Sequence, residues 1–173
     1  MATKQQLAFA QQVYTAARNA ETEINPAFVT AQAMLETGWG KRIIGRANLF
    51  GITKGSQWQG DIVMVRTHEY LKTATFKPTL PDKVVSVCKV KDKPLWYYTM
   101  DRAFKDFATI EDCLKEHERL FQKPGYKDAW PFRLDPFAFA RRICDGVGCK
   151  YATDPTYLTT ITSLIKTVQK HCK

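Results

Sequence analysis

Three Asx-Pro pairs, each followed by apolar residues at helical spacing, constrain the fold of this 173-residue chain more than any other feature. Asn25-Pro26, Asp135-Pro136 and Asp154-Pro155 each combine an N-capping side chain with a proline at the first helical position. Thr109, with Asp112 three residues later, resembles a capping box at a fourth helix start. The pattern predicts helices towards both ends of the chain.

The spacing of apolar residues sets the extent of each predicted helix. We predict a first helix over residues 4–19 and a second from Pro26 to Thr37, where Gly38 can adopt the left-handed conformation that ends helices. A third runs from Thr109 through Leu120, and the last two begin at the remaining Asx-Pro pairs. The final helix carries one apolar face: Leu158, Ile161, Leu164, Ile165 and Val168.

The middle of the chain has a different pattern. Residues 61–67 and 83–90 are short β-rich runs, and a third extended segment is predicted at 95–98. The sequence therefore predicts an α+β fold that is mostly α, with a small β-lobe at about residues 56–100 flanking a cleft. We expect one domain over residues 1–173, since this length suits a single core.

The charge balance indicates an anionic partner. Lysine and arginine outnumber aspartate and glutamate by 26 to 17, which gives a formal net charge of +9. Such a surplus attracts nucleic acid, anionic lipid headgroups or a bacterial cell wall, and composition does not choose among them. No apolar signal segment opens the chain, and no stretch approaches the roughly 18 apolar residues of a membrane span, so we expect synthesis in the cytoplasm without a signal peptide.

Five cysteines, an odd number, favour reduced thiols, although Cys144 and Cys149 bracket a glycine-containing loop and could pair after release. The chain has no CxxC motif and only three scattered histidines, so we predict no metal and no cofactor.

Glu36 is the first candidate for chemistry. It lies at the predicted end of the second helix, where the negative end of the helix dipole and the neighbouring Leu35 and Trp39 favour the neutral acid. A carboxyl group with a raised pKa can protonate a leaving oxygen near neutral pH.

Ala33–Gly40 (AMLETGWG) and Ala47–Ile52 (ANLFGI) resemble the hallmark motifs of the bacterial and phage glucosaminidase family, glycoside hydrolase family 73, which includes flagellar peptidoglycan hydrolases and autolysins. Arg66–Tyr70 is similar to the family's Thr-Thr-Glu-Tyr segment, residues 104–120 to its mid-chain helix, and Tyr151–Tyr157 to its C-terminal signature. The segments follow one another in the family's order.

The resemblance implies a lysozyme-like fold that cleaves the β-1,4 bond after N-acetylglucosamine in peptidoglycan. It implies that Glu36 is the catalytic acid, that Glu69 falls on a second carboxylate proposed as the base in some members, and that Tyr151 lines the same site. The substrate contacts predicted from it are Trp39, Asn48, Phe50, Tyr126 and Asp154.

The role of Glu69 has an alternative. The 2-acetamido oxygen of the substrate can itself attack the anomeric carbon, and Tyr151 would then position that amide or stabilise the developing positive charge. Two departures from the family bear on the site: about 20–30 residues around Leu71–Met100 are longer than the usual β-lobe, and Lys150 stands where the family typically has glycine.

Other residues are assigned to structure. His68 and His117 are interpreted as solvated or structural, and Cys113 as a packing residue. Trp96, Tyr97 and Tyr98 could stack on sugars or bases, but core packing is the favoured interpretation.

The predicted function is that of a monomeric peptidoglycan hydrolase, of the endolysin type from a phage or prophage, without a separate wall-binding module and without a nucleic-acid partner. The alternatives are a muramidase or lytic transglycosylase acting on the same glycan, or a non-catalytic wall-binding module. From Lys166 onward, the last helix carries Lys166, Lys170, His171 and Lys173 with little expected to be buried, which indicates weak attraction to the anionic envelope.

Overall fold

The computed structural model describes residues 2–145, 151 and 154–173 of the chain. The chain divides into two compact units, Met1–Phe50 with Phe107–Lys173, and Gly51–Asp106, which we call the helical unit and the sheet unit. The sheet unit is longer at both ends than the β-lobe predicted at 56–100. Cys149 and Lys150, and with them the alternative Cys144–Cys149 pair, lie outside the described residues.

The helical unit contains the five helices that the sequence predicted, and the predicted α+β class, mostly α, is confirmed. They are α1 (Lys4–Asn19), α2 (Pro26–Thr37), α3 (Ile110–Phe121), α4 (Pro136–Asp145) and α5 (Tyr157–His171), with 3-10 turns at Pro124–Tyr126 and Trp130–Phe132. None of the described helices has the length and apolarity needed to cross a membrane.

The helix starts follow from local capping. The Asn25 side chain accepts a hydrogen bond from the amide of Ala27 at 2.9 Å, and the Thr109 side chain accepts one from the amide of Asp112 at 3.1 Å. α5 begins two residues later than the sequence predicted, because Asp154 accepts bonds from the Thr156 amide and hydroxyl, both at 2.8 Å, and thereby forms a turn before the helix.

α2 is the central helix of the helical unit. Every residue from Ala27 to Met34 is buried, and the helix packs against α1, α4 and α5. A helix that is apolar nearly all round belongs in the middle of a core. Phe28 is 0% exposed, and its ring lies 4.9 Å from that of Phe139 and 6.1 Å from that of Phe121. This packing holds the first turn of α2 in the core.

The expectation of little burial after Lys166 is wrong. Val168 and Cys172 are buried, and Gln11 of α1 holds the chain end through two hydrogen bonds with the backbone of Lys173, at 3.1 and 3.3 Å. The end of the chain therefore contributes to the fold as well as to the surface charge.

The sheet unit contains three antiparallel strands in the order β1-β3-β2. They are β1 (Ile62–Leu71), β2 (Lys83–Lys89) and β3 (Trp96–Lys105), and the register pairs Ile62 with Lys105 and Leu71 with Trp96. β1 continues past its predicted end to Leu71, and β3 continues to Lys105. The added part of β3 contains Asp101, which forms a cross-strand ion pair with Arg66, and such pairs stabilise charged residues in a sheet.

Candidate active site

The end of α2 places Glu36 at the surface of the helical unit. Gly38 (φ 58°), Trp39 (φ 63°) and Gly40 (φ 81°) are three consecutive residues in the left-handed region, so the chain turns sharply straight after the helix. The hydroxyl of Thr37 donates to the carbonyl of Ala33 at 2.6 Å and accepts a bond from the amide of Gly40 at 2.7 Å. The turn is therefore tied back onto the helix that carries Glu36.

Glu36 contacts Tyr151, which is 115 residues away in the chain. The Tyr151 hydroxyl donates a hydrogen bond to Glu36 Oε1 at 3.3 Å. Partial burial of the carboxyl raises the pKa of Glu36, while the hydrogen bond from Tyr151 and the charge of Arg42 oppose that rise. Desolvation is the largest influence, so the site favours the protonated acid more than water does.

Tyr151 is held as a neutral phenol. Its ring lies 5.6 Å from the rings of both Phe121 and Tyr157. Burial and the nearby Glu36 carboxylate raise the pKa of Tyr151 well above its ordinary value, so its proton stays in place as a donor. Tyr157 is itself buried and accepts a hydrogen bond from Gln32 of α2 at 3.1 Å, which links α5 to α2 behind the site.

We predict that Tyr151→Phe moves the alkaline limb of the pH–rate profile to higher pH. An acid catalyst acts below its pKa and is lost as pH rises through that pKa. Because the Tyr151 hydrogen bond lowers the pKa of Glu36, its removal should raise that pKa and extend activity upward in pH. Rates measured across pH on solubilised glycan check this result. Tyr14→Phe is the matched control. An alkaline limb of Tyr151→Phe that is unchanged or shifted to lower pH would contradict the role given to Tyr151.

The predicted substrate contacts lie in different surroundings. Trp39 and Phe50 are partly buried and pack against the helical core. The ring of Tyr126 lies 5.1 Å from that of Phe121, which also stacks on Tyr151. Trp39 and Tyr126 are both partly exposed, and they lie near the elements that carry Glu36 and Tyr151.

Asn48 and Asp154 are placed where they support the backbone. Asn48 is 1% exposed and exchanges two backbone hydrogen bonds with Ile44, at 3.2 and 3.0 Å. Asp154 is exposed, and its hydrogen bonds to Thr156 lower the pKa of its carboxyl. These placements favour structural contributions, a difference that the sequence motifs do not reveal.

The structural interpretations of His117 and Cys113 are confirmed. His117 is 0% exposed, its ring stacks on that of Phe50 at 3.7 Å, and burial lowers its pKa to about 3. Cys113 is buried and accepts a hydrogen bond from the amide of Leu49 at 3.4 Å. Neither side chain reaches a surface where a substrate could bind.

Glu69 belongs to the sheet unit, where it borders a cavity of about 640 Å³. Glu69 Oε1 accepts a hydrogen bond from Arg102 Nη1 at 3.0 Å, and Arg102 Nε lies 3.6 Å from Asp82 Oδ2. Asp82 also accepts a bond from the amide of Ala103 at 2.8 Å. The carboxylate is thus oriented by an arginine that is itself held by the segment before β2.

The segment between β1 and β2 closes this cavity. Phe76, Pro78 and Leu80 line it, opposite Met100 on β3. Tyr98 holds the segment by donating to the carbonyl of Thr73 at 2.9 Å and accepting a bond from the amide of Phe76 at 3.2 Å. The segment between β1 and β2 therefore builds the wall of the cavity beside Glu69.

Sequence reasoning missed the partners of both carboxylates. Arg42 faces Glu36, and Arg102 and Asp82 surround Glu69, yet none of the three lies in a segment that was assigned a role. The alternation of β3 was the available signal for Arg102. A strand continued to Lys105 puts Arg102 on the same face of the sheet as Tyr98, which pairs with Glu69.

The chain belongs to the Glucosaminidase family, because the family's sequence model, described as mannosyl-glycoprotein endo-beta-N-acetylglucosaminidase, matches residues 11–170. The predicted family is thereby confirmed, and with it the class of glycoside hydrolases. Solved structures share the fold: the catalytic domain of the autolysin Auto from Listeria monocytogenes aligns with a TM-score of 0.69, at 23% identity, over 98% of this chain and 87% of that one. A peptidoglycan hydrolase mutant from Sphingomonas sp. A1 aligns with a TM-score of 0.63, at 25% identity, over 95% and 97% of the two chains.

Two curated relatives carry names that describe an activity. Peptidoglycan hydrolase FlgJ of Vibrio parahaemolyticus is 31% identical over 140 residues, which cover 78% of this chain and 37% of the relative. A probable N-acetylmuramidase of Lactococcus lactis subsp. lactis is 31% identical over 143 residues, which cover 81% of this chain and 28% of the relative. The chain thus spans about a third of the length of these relatives.

Proposed function

We propose that the chain hydrolyses the glycan strand of peptidoglycan at the β-1,4 bond after N-acetylglucosamine, and that it acts on the bacterial cell wall. One observation carries the proposal: a glutamate at the end of the central helix has its pKa raised by burial and receives a hydrogen bond from a neutral tyrosine. A carboxyl group with a raised pKa keeps its proton to higher pH and can donate it to the leaving glycosidic oxygen. Membership of the Glucosaminidase family and the name of the Vibrio relative support this substrate.

In this reaction Glu36 transfers its proton to the oxygen that leaves the anomeric carbon. As the proton leaves, the developing carboxylate gains the hydrogen bond from Tyr151 and the attraction of Arg42. Both interactions favour the ionised form of Glu36, so they stabilise the transition state, in which the carboxylate is forming, more than the ground state. Burial therefore keeps the proton on the acid, whereas Tyr151 and Arg42 help the acid to release it.

The experiment that tests the proposal is the identification of the new reducing ends. Purified peptidoglycan is digested, the products are reduced with borohydride, and the terminal sugars are identified by mass spectrometry. Reduced N-acetylglucosamine at the ends supports the proposal. Muramidase action is the second candidate, favoured by the name of the Lactococcus relative, and it would leave reduced N-acetylmuramic acid. Products with an anhydro end would identify a lytic transglycosylase, and no new ends would indicate a wall-binding module without activity.

We propose that Glu69 supplies the base that activates water. Its support is the carboxylate oriented by Arg102 beside a cavity large enough for part of a sugar chain. Glu69→Gln should then lower turnover by about 10²–10⁴-fold, the usual contribution of a general base. Turnover of purified glycan fragments is the measurement. Asp101→Asn, which breaks the Arg66–Asp101 pair of the same sheet, is the control for losing an ion pair.

A small effect of Glu69→Gln would favour assistance by the acetamido group of the substrate. That mechanism also predicts inhibition by a thiazoline analogue of the cyclised intermediate. If the Glu69→Gln enzyme keeps its full rate and the thiazoline does not inhibit it, neither mechanism is supported.

A further inference from the structure

The sheet has a second face that the proposed reaction does not use. Successive residues of a strand point to opposite faces, so Glu69 lies on one face of β1 while its neighbours His68 and Tyr70 lie on the other. The register pairs Tyr70 directly with Tyr97, which places Tyr97 on the same face as Tyr70. The three rings are therefore grouped on the face opposite the Glu69 carboxylate.

His68, Tyr70 and Tyr97 form a continuous cluster, which we call the aromatic patch. The rings of His68 and Tyr97 lie 5.3 Å apart and nearly parallel, at 7°, and those of Tyr70 and Tyr97 lie 5.1 Å apart at 52°. Tyr70 is 61% exposed, His68 is exposed and Tyr97 is half-buried. Core packing accounts for Tyr98 but not for these rings, and a contiguous exposed apolar surface commonly marks a binding site.

Four lysines lie at the end of the sheet that carries the aromatic patch. Lys72 directly follows β1, Lys89 ends β2, and Lys91 and Lys93 lie in the turn between β2 and β3. All four are exposed, and the acidic residue among them is Asp92. The rings are therefore bordered by a surplus of positive charge, which favours an anionic ligand.

We propose that the aromatic patch and these lysines bind the glycan strand of peptidoglycan at a second site. The apolar C–H faces of N-acetylated sugar rings can lie against the tyrosine rings, and the lysines attract the carboxylates of the peptides attached to muramic acid. This inference rests on the proposed function, because it takes the same polymer as its ligand. Single-stranded nucleic acid also combines stacking with negative charge, but the family of the chain favours the glycan.

A second site would change how the protein stays on an insoluble polymer. Two points of attachment on one polymer raise the effective concentration of the second contact, so the bound protein leaves more slowly. A fragment too short to reach both points gains nothing. The site therefore acts on attachment to whole wall material and has no direct role in bond cleavage.

The test is co-sedimentation with purified peptidoglycan sacculi from which teichoic acids have been removed, using full-length protein. Every variant also carries Glu36→Gln, so that digestion does not remove the polymer. Tyr70→Ala and the double variant Lys91→Glu with Lys93→Glu should each weaken binding by about three- to tenfold, the loss of one good surface contact. Met64→Ala is the matched control, since Met64 is 43% exposed on the same strand and face but near its other end. It should bind like the parent protein.

Equal sedimentation of all variants would overturn the proposal. Normal binding of Tyr70→Ala to sacculi, together with weaker binding to a single-stranded oligonucleotide, would overturn it in favour of nucleic acid. Melting temperatures show whether each variant is folded, and the turn variant tests the site without altering a strand. If the Glu36→Gln proteins still digest sacculi, the assignment of Glu36 as the acid has failed. The second site is still tested in that case, by comparing the amounts of each variant bound before digestion has removed the polymer.

Discussion

Glu36→Gln should abolish measurable lysis while the protein remains folded. The amide has nearly the shape of the protonated acid but no proton to give to the leaving oxygen, and general acid catalysis contributes about 10²–10⁴-fold. Glu36 is an exposed residue at the end of α2, and the amide oxygen of glutamine can still accept the hydrogen bond from Tyr151, so the fold should be kept. Release of reducing ends from purified peptidoglycan measures the activity, and the melting temperature checks the fold.

Glu21→Gln is the matched control for this substitution. Glu21 is an exposed glutamate of the same helical unit, and its variant should keep full activity. A folded Glu36→Gln protein that turns over near the rate of the parent would falsify the assignment of Glu36 as the acid.

Gly40→Ala should have the second largest effect, on stability. Gly40 has a φ of 81°, and a Cβ atom there would lie 2.5 Å from Cδ2 of Phe9. Left-handed backbone costs an L-residue roughly 1–2 kcal/mol, and overpacking typically adds 1–3 kcal/mol, so we expect a loss of about 2–5 kcal/mol in the free energy of unfolding. The melting temperature should fall by on the order of 10 °C for a chain of this size.

Gly55→Ala separates the two contributions. Gly55 has a φ of 63°, and its added Cβ would meet nothing within 4 Å, so only the backbone strain remains, at about 1–2 kcal/mol. Calorimetry or chemical denaturation of both variants gives the comparison. Equal losses at the two glycines would show that the Phe9 contact relaxes without cost.

The sequence predicted the helices well because their signals are local. Asn25 and Thr109 cap helices within three residues of themselves, so the information lies in one short window. β3 was predicted too short because its continuation includes Asp101, a charged residue whose partner Arg66 lies on another strand. Pairing of this kind joins residues that are far apart in the sequence, so a short stretch of sequence does not reveal it.

The candidate site shows the same difference between what short stretches of sequence reveal and what depends on distant contacts. The helix end made Glu36 a candidate, and the resemblance to the family's motifs implied its role as the acid and placed Tyr151, far along the chain, in the same site. Asn48 lies in an equally recognisable motif, yet its burial could not be known before the core was built. The run from Trp96 to Tyr98 illustrates the limit most clearly, because alternate residues of one strand serve the core and the open face.

The contact between Glu36 and Tyr151 has a consequence for how the protein is made. The ribosome releases Glu36 before the tyrosine that contacts it, which follows 115 residues later, and the helix α5 that packs on α2 follows that tyrosine. Until those residues have emerged, the carboxyl of Glu36 is solvated as in any nascent peptide. We therefore expect that translation products ending before α5 cannot cleave glycan, and that hydrolytic competence begins only after α5 has been made.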